Sequence, residues 1–82
     1  MNAASYGHLR AQQVNLSNAA ASFYEARQAL IAYRNALQSN YHAQEEQALI
    51  SAFNSGIDKL KYLMNACNTL REQLIYAEQM QL

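Results

Sequence analysis

Proline is absent from this 82-residue chain, and glycine occurs only at Gly7 and Gly56. Without proline, nothing in the sequence forbids long uninterrupted helices. A single cysteine, Cys67, excludes an internal disulfide. A net charge is missing too: six basic residues balance six acidic ones, for a formal net charge of zero. Arg10, Arg27, Arg34, Lys59, Lys61 and Arg71 are scattered. Nucleic-acid binding draws on a basic face, so no DNA or RNA partner is expected. No apolar run approaches the ~18 residues that would span a bilayer, so no membrane partner is expected either. Met1–Gly7 has no basic run followed by an apolar core, which argues against a signal peptide. The expected location is cytoplasmic, with signal-independent secretion left open.

What remains is helix-forming sequence. No stretch alternates with period two for long enough to be a strand, so the expected class is all-α. From Leu49 to Ala77 the residues Leu49, Phe53, Gly56, Leu60, Leu63, Cys67, Leu70, Leu74 and Ala77 recur with alternating gaps of four and three. That is the ~3.5-residue repeat of a packed seam. Ile50, Ile57 and Met64 form a second line beside it. The two lines together are wider than one partner helix covers.

The first half carries a heptad of large apolar residues, Leu9, Leu16, Phe23, Leu30 and Leu37. The line three residues further on is Gln12, Ala19, Ala26, Tyr33 and Asn40, which is small or polar. Small residues let a neighbouring helix approach while the heptad supplies knobs. The predicted core is therefore Leu9, Leu16, Phe23, Leu30 and Leu37 against Leu49, Phe53, Leu60, Leu63, Cys67, Leu70 and Leu74.

Two places compete for the turn. The heptad fails after Leu37, at Gln38-Ser39-Asn40-Tyr41-His42, where serine and asparagine favour caps and turns. Asn54-Ser55-Gly56 holds the more familiar turn letters. The stripe keeps its phase through Gly56, however, and a break would reset it; Gly56 can instead mark close helix approach. The preferred reading is a single antiparallel hairpin domain: a helix over about 6–38, a turn at 39–42 and a helix over about 43–79.

Little here suggests chemistry. His8 and His42 have no Asp, Cys or His at a spacing that specifies a site, and read as surface or cap residues. His42 with Glu45 has a His-x-x-Glu spacing, but at a helix start, where no bundle metal site is built. Cys67 lies on the apolar stripe and reads as a small hydrophobe. No catalytic residue, metal, cofactor or small-molecule partner is expected. The six tyrosines suit either an interface or the edge of a core. Tyr62 and Tyr76, fourteen apart, share one flank of the second helix.

One hairpin has one internal interface, so apolar surface left over needs a second chain. The sequence points to a non-enzymatic interaction module: a small adaptor, regulator or chaperone packing on a heterologous helical protein. The alternative is a self-assembling subunit that completes a four-helix bundle as a homodimer. The expected contact surface is Ile50, Ile57 and Met64, with Tyr62 and Tyr76. In size and hairpin outline the chain resembles two bacterial groups. One is the small co-chaperones of type III secretion needle subunits. The other is the small secreted hairpins of type VII secretion, whose Trp-x-Gly turn has no counterpart in Phe53-Asn54-Ser55-Gly56. The resemblance implies an accessory role in bacterial secretion or regulation.

Overall fold

The computed structural model describes residues 3–40 and 44–81, with side chains over 5–39 and 46–80. Helix α1 spans Ala3–Asn40 and helix α2 spans Gln44–Gln81, each of 38 residues. A helix of that length is about 57 Å long, and the molecule measures 61 × 14 × 12 Å. The two helices lie side by side and antiparallel: Gln13 reaches Glu78 at one end, and Arg34 reaches Asn54 towards the other. The protein is an all-α two-helix hairpin.

Both helices run past the spans expected from the sequence. Ser39 and Asn40 belong to α1. The Ser39 hydroxyl donates to the Asn35 carbonyl at 2.9 Å, which keeps a serine inside a helix. The rest of the expected turn, Tyr41 and His42, lies outside the described residues. The competing break does not occur, because Asn54-Ser55-Gly56 is helical. No described residue has a positive φ. A Cβ built on Gly56 would stand 3.4 Å from Leu30 Cδ1, so the glycine marks a place where the helices come close.

In α1, Tyr6, Leu9, Gln13, Leu16, Ala20, Phe23, Arg27, Leu30, Arg34 and Leu37 are all buried or half-buried. They recur with gaps of three and four and form one side of the seam. In α2 the same pattern is Glu46, Ile50, Phe53, Ile57, Leu60, Met64, Cys67, Arg71, Leu74 and Glu78. The heptad from Leu9 to Leu37 therefore faces the partner helix, as do Phe53, Leu60, Cys67 and Leu74.

The companion lines are corrected in both helices. In α1 the second seam line precedes the heptad by three residues instead of following it. It runs Tyr6, Gln13, Ala20, Arg27 and Arg34, because long polar side chains lay their stems along the seam and send their heads out. In α2, Ile50 and Ile57 are only 5% and 3% exposed, and Met64 is half-buried. They were expected on a free surface. Leu49, Leu63 and Leu70, expected in the core, are 45%, 42% and 49% exposed. The physical reason lies at the height of Leu30. The line through Leu49 and Leu63 has only Gly56 to offer there, whereas the line through Ile50 and Met64 offers Ile57, the best-buried large side chain of α2.

The end of the hairpin that carries the chain termini is closed by polar groups. Gln13 Nε2 donates to Glu78 Oε2 at 2.6 Å, and Arg10 Nη2 pairs with Glu78 Oε1 at 2.9 Å. Arg10 also donates to the Tyr6 hydroxyl at 3.0 Å, and its guanidinium stands 5.5 Å from that ring's centre. The amide of Gln13 holds the Glu78 carboxyl below its usual pKa; the Tyr6 hydroxyl and Arg10 assist, while burial opposes them. A carboxyl with a lowered folded-state pKa stabilises above its unfolded value, ~4.3, and that stability is lost as pH falls through the folded value. Thermal stability should therefore drop on acidification below about pH 4.3. Glu78→Gln should flatten that part of the melting-temperature profile. Superimposable profiles for the two proteins would remove Glu78 from the acid response.

Candidate interaction face

The seam has two flanks, and they differ in chemistry. On the first, Arg71 Nη1 donates to Ser17 Oγ at 3.2 Å and Arg34 Nη1 donates to Asn54 Oδ1 at 2.8 Å. Arg10, Val14, Ser17, Arg71 and Ile75 line a shallow hollow there, with Gln13 at its floor. Lys61 and Asn68 continue this flank along α2 at steps of seven from Asn54 and Ile75. It is a polar surface on which Arg10, Arg34 and Arg71 each donate a hydrogen bond.

The second flank carries no charged residue on either line that borders the seam. From α1 it takes Gln12, Ala19, Ala26 and Tyr33, at steps of seven; from α2 it takes Leu49, Gly56, Leu63, Leu70 and Ala77. The three leucines are each more than two-fifths exposed. At the end nearest the connection Tyr33 stacks on Phe53, with centroids 5.4 Å apart and planes 19° from parallel. Beside that pair, Leu30, Leu49, Ala52 and Phe53 line an apolar hollow of about 300 Å³.

The residues of this flank are arranged in layers. Arg71 reaches Ser17 and Arg34 reaches Asn54, two contacts seventeen residues apart on both helices. Each step of seven along α1 is therefore a step of seven back along α2. Ala19 falls beside Leu70, Ala26 beside Leu63, and Tyr33 beside Gly56. Each of these three layers holds one large and one small residue, and the large one changes helix between the second layer and the third.

The surface expected from the sequence is dispersed by the fold. Ile50, Ile57 and Met64 lie in the seam, while Tyr62 and Tyr76 are 73% and 63% exposed on α2. Tyr62 borders a separate hollow with Ala66, Thr69 and Leu70. The leucines of the second flank were missed as surface residues because their spacing also suits the seam. Gly56 and Ala77 on the same line were the available signal, since small residues at two of its five positions make it the weaker core line. His8 is exposed and Cys67 is a half-buried free thiol in the seam. Among the described residues no three His, Cys, Asp or Glu side chains group as a metal site. Among the same residues no helix is long and apolar enough to cross a membrane. Comparison with protein-family models, curated proteins and solved structures gives no match.

Proposed function

We propose that this chain is a non-enzymatic protein-interaction module and that the uncharged flank of Leu49, Leu63 and Leu70 is its working surface. The observation that carries this reading is the exposure of three leucines on one uncharged line. The area points the same way. A compact chain of 9.3 kDa exposes roughly 5,000 Å², whereas this one exposes 5841 Å². The surplus, roughly 840 Å², comes with the elongated outline, which leaves room for a standard interface of ~800 Å² per partner. A contiguous apolar strip of this kind marks a contact with another apolar surface. The lining alanines and the flat, elongated outline suit a helical one. An adaptor or chaperone role would use the same face.

Leu63→Asp tests the surface, since it places a charge in the middle of the strip and leaves the seam untouched. Sedimentation of the variant should show association lost, with helicity retained in circular dichroism. Val14→Asp puts the same charge on the polar flank and should leave association unchanged. Association that ignores Leu63→Asp and responds to Val14→Asp would move the working surface to the other flank.

A further inference from the structure

Resting on that reading, we propose that the occupant of the uncharged face is a second copy of this chain, related by a twofold axis parallel to the helices. The argument comes from the layers. A twofold axis in the plane of the face has two simple directions. If it runs across the helices at the height of Ala26 and Leu63, α1 covers α1 and α2 covers α2, so at the centre of the face Ala26 meets Ala26 and Leu63 meets Leu63. If it runs along them, α1 of each copy covers α2 of the other at the same height. Ala19 then meets Leu70, Ala26 meets Leu63, and Tyr33 meets Gly56, each contact made twice. In these three layers every large residue finds a small one, including where the large residue passes from α2 to α1. Tyr33 is the only aromatic member of the α1 line, and the α2 line holds its only glycine at Gly56.

The face is also electrostatically compatible with itself, because neither line bordering the seam has a charge to repel or to be buried. The side of the molecule that carries the face measures 61 by 14 Å, room for a standard interface of ~800 Å² per partner. All neighbouring helices in the resulting four-helix bundle are antiparallel, the arrangement in which helix dipoles oppose each other.

Two single variants provide the test. In Ala26→Leu, self-pairing sets leucine against leucine at two symmetric contacts; in Leu63→Ala it leaves two spaces unfilled. Each should associate with itself more than about tenfold more weakly than the native chain, as overfilled and underfilled contacts do. Mixed in equal amounts, the two match at both contacts: the new leucine meets the new alanine, and the native Leu63 meets the native Ala26. Sedimentation under reducing conditions, with one variant labelled, should show a native-strength one-to-one pair of twice the 9.3 kDa chain mass. A folded native monomer at all concentrations overturns the proposal. So does a native dimer that Leu63→Asp dissolves but whose mixed variants do not restore pairing; the surface would then stand and the arrangement fall. Association indifferent to Leu63→Asp overturns both the surface and the arrangement.

Discussion

Ile57→Asp should melt the hairpin. Ile57 is the best-buried large side chain on α2, at 3% exposure, and follows Gly56, which lies against Leu30. Burying an isoleucine contributes about 1.5–3 kcal/mol. An uncompensated charge in its place adds a penalty of about 3–5 kcal/mol. A domain of this size is stable by about 4–12 kcal/mol, and a single seam between two helices lies low in that range. Helix alone does not rescue it, since helical stability in proteins comes mostly from packing of the apolar face. Most of the circular dichroism signal at 222 nm should be lost at room temperature, while Leu63→Asp keeps it. The bare sequence pattern expects the reverse, with charge tolerated at Ile57 and disruptive on the leucine line. A folded Ile57→Asp protein would show that the leucine line is the seam.

Gly56→Ala should act in the opposite direction. In a helix interior alanine is better than glycine by about 0.8–1.0 kcal/mol. The new methyl would stand 3.4 Å from Leu30 Cδ1, which is ordinary contact with the end of a flexible side chain. The chain should gain close to the full propensity difference, or roughly 4–8 °C in melting temperature. Thermal melts at a concentration low enough to keep the chains apart measure this term alone. A fall in melting temperature would mean that Leu30 cannot yield and that the glycine is required for helix approach within one chain.

The fold class was legible because its signals were redundant. No proline interrupts either half, and the apolar phase runs unbroken through Asn54-Ser55-Gly56. Half of the seam was legible as well, since Leu9 to Leu37 on one side and Phe53, Leu60, Cys67 and Leu74 on the other fit only one face each. The remaining half was not, for a geometric reason. A line of residues at steps of seven can be completed by a neighbour on either side, and in α2 both neighbours are apolar. The line through Ile57 and the line through Leu63 differ by a small rotation of the helix. Only the height-by-height match with Leu30 and Phe23 distinguishes them, and that match depends on which residues of two distant segments lie level. In α1 the difficulty was chemical. Arg27 and Arg34 look like surface residues, yet their aliphatic stems occupy the seam.

The two ends of the hairpin are closed by different means, and this bears on the order in which the chain zips. Near the connection, Leu37 and Ile50 and then Leu30 and Ile57 lie few residues apart along the chain, so they meet after a short search and gain apolar burial at once. At the far end the closing contacts are Arg71 with Ser17 and Glu78 with Gln13 and Arg10, which are separated by most of the sequence. They have little to hold them until every layer between has formed. Backbone amides should accordingly show graded protection against exchange, greatest around Leu30 and Ile57 and least beyond Gln13 and Glu78. Pairing also selects register, because a slip of one heptad would set Gln13 against Arg71 and leave the Glu78 carboxylate without its amide donor. The polar clasp at the open end thus acts last and acts as a ruler, admitting one alignment of the two helices and rejecting its near neighbours.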